Sequence, residues 1–205
     1  MFESDLFGIA INALSAMSGW EAFAATLGII YVILAARESQ WCWPFAFVST
    51  VIYTLLFWEG QLPMQALLNF YYMGMAVYGY LLWQKHGNGE DNLHISSWPL
   101  LEQLKLVGIG TFLTYITGSY LTQYQLSQSP YLDAGVTVFS VLNTWLMAKK
   151  VIQNWFYWIL IDAAAIVLYV QHGYYATVVM FSIYLVLAMI GFISWHKLYR
   201  QQSAQ

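Results

Sequence analysis

The sequence predicts an all-α integral membrane protein. Seven transmembrane helices form a three-plus-one-plus-three parallel repeat, preceded by an N-terminal helix lying at the membrane interface. Three observations predict this. The 205 residues are 60% hydrophobic and only 8% charged, roughly a third of the charged content of a soluble domain. Seven apolar stretches of about the length that crosses a bilayer follow one another along the chain. The chain also matches itself at an offset of 112 residues, on aromatic and basic positions that recur in the same order.

Residues 3–18 mix Glu3, Asp5 and Asn12 with Phe2, Leu6, Ile9, Ile11 and Leu14. That stretch is too short and too polar at its ends to span, and fits an interfacial helix within residues 1–19. The acidic opening is unlike the basic start of a secretory signal, so none is expected. The first span covers residues 22–36 and closes at Arg37; the second covers 43–58 and ends at Glu59-Gly60; the third covers 64–83 and closes at Lys85. Pro44 and Pro63 open the second and third helices, where a missing N–H costs nothing. These three spans form a unit over residues 20–86. A polar loop, 87–92, leads through Trp98-Pro99 to a less hydrophobic fourth span, 104–121, and an exposed loop, 123–130. Together they make a linking segment over 87–131. The fifth span, 132–148, closes at Lys149-Lys150; the sixth is 153–169; the seventh, 174–195, closes at Lys197 and Arg200. They form the second unit, 132–198, followed by a cytoplasmic tail over 199–205.

The basic residues set the orientation. Arg37, Lys85, Lys105, Lys149, Lys150, Lys197 and Arg200 all fall at the ends of spans one, three, five and seven or the start of span four. In a seven-span chain those positions share one side. The positive-inside rule makes that side cytoplasmic, with the N-terminus out and the C-terminus in.

The repeat pairs Arg37 with Lys149, Trp43 with Trp155, Tyr72 with Tyr184, Ala76 with Ala188, Gly79 with Gly191, Trp83 with Trp195, and Lys85 with Lys197. Both units end inside. A three-span unit repeated in parallel needs one extra span between its copies, and the fourth supplies it. This is a transporter architecture, with the substrate site near midplane where the repeats meet.

Asp162 stands near the middle of the sixth span. Trp155, Trp158 and Asp162 lie along one face of that helix, as a pocket for something aromatic and cationic requires. A charged side chain at that depth costs about 2.5–3.5 kcal/mol on insertion scales, which marks a functional site. The competing reading is an aspartic acid that is protonated, or satisfied by a neighbouring helix, and serves only packing.

Asn154-Trp155-x-x-Trp158-x-x-x-Asp162 resembles the motif of the PnuC-type vitamin transporters. Gln61-Leu62, Leu67-Leu68-Asn69 and Tyr78-Gly79-x-x-x-Trp83 are similar to their third span. The likeness runs from about Trp20 to Lys197. It implies a SWEET-like arrangement of seven helices, a homotrimer, and a bacterial inner-membrane location. It further implies facilitated diffusion of a water-soluble B vitamin, trapped inside by phosphorylation. The nicotinamide riboside branch carries Asn where this chain has Asp162, and Gln where it has Asn69. The chain therefore looks nearer a PnuT-like thiamine member, since thiamine joins a permanently cationic thiazolium to a hydrogen-bonding aminopyrimidine. Nicotinamide riboside, also cationic, is the alternative.

In that reading Asp162 meets the positive charge or amino group, and Trp155 and Trp158 stack on the rings. Tyr157 can add a cation–π contact of ~0.5–2 kcal/mol. Trp43, repeat partner of Trp155, lines the opposite wall. Asn69, Tyr72 and Asn143 fix polar edges, although each also reads as packing or as an interhelical hydrogen bond. Trp58, Trp83, Trp98 and Trp195 read as interfacial belt anchors, and Asp133 and Asn154 as helix N-caps. Gly79 and Gly191 let helices approach or bend.

Other classes fare worse. His86, His94, His172 and His196 lie in loops or at span ends without metal-ligand spacing, so no metal, cofactor or enzyme is expected. A lone cysteine, Cys42, has no internal disulfide partner. The small negative net charge, −3, gives no reason for nucleic acid; the expected partners are the vitamin and membrane lipid. A substrate-binding membrane subunit of an ATP-driven vitamin importer is the closest rival from another class, but it gives no reason for the parallel repeat.

Overall fold

The computed structural model describes Gly8, Ser15 and residues 17–60, 63–85 and 93–202. The expected interfacial helix, the 87–92 loop, Gln61-Leu62 and the last three residues lie outside the described residues. Seven helices follow in order: α1 Gly19–Ala36, α2 Cys42–Glu59, α3 Pro63–Lys85, α4 Leu100–Gln123, α5 Pro130–Ala148, α6 Gln153–Gln171 and α7 Tyr175–Gln202. By length and composition, α1, α2, α6 and α7 are apolar enough to cross a membrane. Helices α3, α4 and α5 have 23, 24 and 19 residues but are more polar.

Local chemistry sets the helix ends. The Ser18 hydroxyl accepts from the Glu21 N–H at 3.1 Å and caps α1. At the far end, Glu38 N–H donates to Ala35 O at 2.9 Å and Ser39 N–H to Leu34 O at 3.0 Å, the paired bonds of a Schellman closure. The same closure ends α5, where Lys150 N–H donates to Met147 O and Val151 N–H to Leu146 O, both at 3.0 Å. The left-handed position of such a closure favours glycine, yet here it holds Glu38 at φ 58° and Lys150 at φ 53°. Asp133 and Asn154 lie inside the first turns rather than at the caps: the N-cap positions are Ser129 and Ile152.

The two units repeat in three dimensions. Helices α5, α6 and α7 begin within one residue of where the 112-residue offset places α1, α2 and α3. Within the units α1 packs on α2 and α2 on α3, as α5 does on α6 and α6 on α7. Between them α1 meets α7 and α5 meets α3, an exchange that preserves the internal symmetry; α4 packs on α5.

The main core lies at the end of the bundle where the basic residues gather, and four indoles dominate it. Trp43 stands edge-on to Trp83 with centroids 5.4 Å apart. Trp155 stands edge-on to Trp195 at 5.6 Å, and Trp83 meets Trp195 at 6.3 Å. The Trp83 N–H donates to Ala148 O and the Trp195 N–H to Ala35 O, each at 2.9 Å, so each unit is stitched to the other. These two tryptophans are core residues, not belt anchors; Trp195 is 0% exposed. Trp58 is exposed, as a belt residue would be, and Trp98 is half-buried edge-on to Trp145. Gly79 and Gly191 explain the close fit: a Cβ on Gly79 would enter the Trp43 ring, and one on Gly191 the Trp155 ring.

The last part of the linker is no free loop. Ser96 pairs with the α5–α6 turn, donating to Lys150 O at 3.0 Å and accepting from Ile152 N at 2.8 Å. Ile95 sinks into the indole core.

Beside it, Lys150 Nζ reaches Glu38 Oε1 at 2.6 Å and lies 4.7 Å from the Trp83 ring centroid. The paired residues occupy equivalent positions of the two units, 112 apart. At 11% and 19% side-chain exposure, the pair falls between an exposed and a buried one. Lys150→Met is expected to cost between about 1 kcal/mol, the ceiling for exposed pairs, and about 3 kcal/mol, the floor for buried ones. Exchanging the charges, with Glu38→Lys and Lys150→Glu together, recovers most of that. Thermal unfolding in detergent reads both, and equal melting temperatures for K150M and wild type would refute the coupling.

Candidate functional site

Above the indole core, toward the middle of the bundle, the helices bring polar side chains together in an otherwise apolar interior. Asp162, on α6, is 3% exposed. No basic residue among the described residues pairs with it; the two ion pairs there are Lys105–Glu102 and Lys150–Glu38. Its repeat counterpart on α2 is Thr50, whose hydroxyl donates to Ala46 O of its own helix at 2.9 Å. The carboxylate thus breaks the internal symmetry.

Tyrosines from three other helices surround this region. Tyr184 of α7 lies within electrostatic range of Asp162. Tyr31 of α1 lies within range of both Tyr72 of α3 and Tyr184. Tyr72 lies beside Ser140 of α5. The Tyr31 ring also rests on Trp43, with centroids 6.1 Å apart, which joins the polar group to the indole core beneath. One carboxylate, several hydroxyls and a floor of aromatic rings can take a small molecule with a positive ring and hydrogen-bonding substituents.

The residues expected from the sequence divide. Trp155 and Asp162 are both buried, two helical turns apart on α6, and Trp158 between them is half-buried against both apolar clusters. Trp43 and Trp155 are each 1% exposed, and each has an indole N–H without a partner among the described residues. Buried donors left this way are costly, and such groups concentrate at functional sites. Tyr72 lies in the polar group, with Asn69 one turn away on α3, where its amide donates to Gln65 O of the same helix at 3.0 Å.

Two residues bond to the surrounding framework, while the Asn143 Oδ1 has no partner among the described residues. Asn143, fully buried, donates to the Asn154 carbonyl at 2.9 Å and ties α5 to the start of α6. Tyr157 points toward α4: its hydroxyl donates to Gln103 Oε1 at 3.4 Å, and its ring packs with Leu106, Leu146 and Ile161. Tyr31, Ser140 and Tyr184 were not expected at the site. The 112-residue match of Tyr184 with Tyr72 is the sequence signal that reaches one of them.

Comparison with known proteins places these features. The sequence profile described as nicotinamide mononucleotide transporter matches residues 18–197. The riboflavin/roseoflavin transporter RibM of Streptomyces davaonensis is 26% identical over 182 residues, covering 86% of this chain and 84% of its own. The nicotinamide riboside transporter PnuC of Escherichia coli is 23% identical over 214 residues, covering 92% and 90%. A crystal structure of the vitamin B3 transporter PnuC superposes with a TM-score of 0.74 at 22% identity, covering 96% of this chain and 88% of that one. At that identity the superposition speaks for the fold.

Proposed function

The chain belongs to the nicotinamide mononucleotide transporter family, a membrane transporter and not an enzyme, and from that premise we propose that it admits a cationic aromatic B vitamin, thiamine first. The single observation that carries this reading is Asp162: a carboxylate 3% exposed, without a basic partner, among aromatic rings and hydroxyls. A buried negative charge is expensive until a positive one joins it, so the site favours a ligand that brings its own cation. Nicotinamide riboside is the second reading, favoured by the PnuC relatives. Riboflavin, named for the Streptomyces relative, has no fixed cation and would meet Asp162 only through N–H or hydroxyl donors.

In this reading Asp162 takes the charge, Trp155 and Trp158 stack on the rings, Trp43 closes the opposite wall, and Asn69 and Tyr72 fix polar edges. Asn143 and Tyr157 serve by holding α6 in place. The basic end faces the cytoplasm of a bacterial inner membrane, which puts the N-terminus outside. There the indole core, Ile95 and the Glu38–Lys150 pair close the path, and rocking of one three-helix unit against the other opens it. A second buried carboxylate and a buried histidine are both missing among the described residues of the spans, which favours facilitated diffusion, with phosphorylation inside retaining the vitamin. Purified protein in liposomes, with no ATPase subunit, is expected to equilibrate labelled thiamine at a rate that ionophores leave unchanged. Uptake lost on collapsing an ion gradient would refute facilitated diffusion. Uptake that required an ATPase partner would favour an importer subunit.

A further inference from the structure

Besides Asp162, the internal symmetry that builds the site is broken at a pair of contacts. Tyr72 and Tyr184 are repeat equivalents, and each sends its hydroxyl toward the first helix of the opposite unit. Tyr72 meets Ser140 there. The residue at the same offset from Ser140 is Gly28, and it faces Tyr184. Where Tyr72 has a serine side chain beside it, Tyr184 has a glycine; the neighbouring Ser49 hydroxyl donates to Ala24 O at 2.8 Å. No side chain among the described residues hydrogen-bonds the Tyr184 oxygen. The fit is close: a Cβ on Gly28 would stand 2.6 Å from that oxygen but 3.8 Å from the ring carbon that bears it. Gly28 therefore makes room for one oxygen atom, on a residue within electrostatic range of Asp162.

We propose that Tyr184 is a specificity-determining residue whose hydroxyl accepts a hydrogen bond from an NH2 group of the substrate, amino or carboxamide, and that Gly28 is the positioning residue that gives the hydroxyl its place. The inference rests on the proposed vitamin site. An NH2 group has two protons to donate; one meets the Asp162 carboxylate and the other the phenol oxygen. Tyr72, with the Ser140 side chain beside it, makes the corresponding wall.

The test is calorimetric titration of wild type, Y184F, G28A, the double variant and D162N. The ligands are thiamine and its analogue with oxo in place of the amino group, nicotinamide riboside and its analogue with acetyl in place of carboxamide, and riboflavin. Y184F is expected to weaken the NH2-bearing vitamin about 10-fold and leave its analogue unchanged, so the preference between the two collapses. G28A is expected to lose as much by displacing the hydroxyl. G28A combined with Y184F should be no worse than Y184F alone, because the oxygen that clashes is gone; independent effects would instead add. Equal loss of vitamin and analogue in Y184F would indicate a merely structural role and overturn the proposal, as would Y184F binding like wild type. The D162N arm separates the two claims. D162N behaving as wild type while Y184F loses its discrimination refutes the carboxylate reading alone. Wild type that binds riboflavin only, or none of these ligands, overturns both.

Discussion

Asp162→Asn is expected to weaken thiamine binding about 100-fold, close to 2.7 kcal/mol, in calorimetric titration of the purified protein. Asparagine nearly preserves the volume and one acceptor oxygen, so packing changes little and the missing quantity is the charge. In the wild type Asp162 is 3% exposed, and in the proposed reading its carboxylate and the cationic ring neutralise each other when the ligand binds. In the variant the same ring enters a neutral site and loses its hydration with less in return. Nicotinamide riboside, whose ring is also cationic, is expected to weaken in the same direction but less, as the second-choice ligand of the site. The wild type should hold thiamine at least ~100-fold more tightly than nicotinamide riboside, and the variant should narrow that gap. Equal affinities in the wild type would remove thiamine as the first choice. An unchanged variant would remove the electrostatic role of Asp162.

Trp195→Ala is expected to produce the largest loss of stability, about 3–5 kcal/mol by analogy with aromatic-to-alanine changes in close-packed cores. The side chain is 0% exposed, meets Trp155 at 5.6 Å and Trp83 at 6.3 Å, and donates its N–H to Ala35 O at 2.9 Å. Removing it opens a cavity at the junction of the two units and releases one of the two indole stitches between them. Trp83→Ala, its symmetry counterpart, should follow closely. Trp58→Ala, at 71% exposure, should leave the melting temperature in detergent almost unchanged. If W195A and W58A melted alike, the indole core would not be what joins the units.

Much of the fold was legible because each signal is local. A bilayer requires that every spanning segment satisfy its own backbone hydrogen bonds, so apolar length and punctuation mark the helices one by one. The helix start at Pro63 follows the same logic. Other ends were less legible. Glu38 and Lys150 stand where glycine is the usual signal, and they face each other only because two turns 112 residues apart meet. Trp83 and Trp195 have the composition of belt residues and sit at span ends. Only their neighbours decide that they are core.

The site divides along the same line. Asp162 announces itself in one helix, because an ionisable group in an apolar run is visible without knowledge of its surroundings. Its companions do not. Asn143 donates to the Asn154 carbonyl and Tyr157 to Gln103, although the Asn143 Oδ1 has no partner among the described residues, and Tyr184 and Gly28 meet only through a contact between α7 and α1.

By itself the sequence determined seven helices, their division into two equivalent units, the place of one carboxylate within an apolar helix and membership of a transporter family. All of these depend on composition and order along contiguous segments. The tertiary structure alone decided which indoles form the core and which tyrosine stands within electrostatic range of that carboxylate. Those outcomes depend on how helices from opposite halves turn toward each other, and no single segment carries that information.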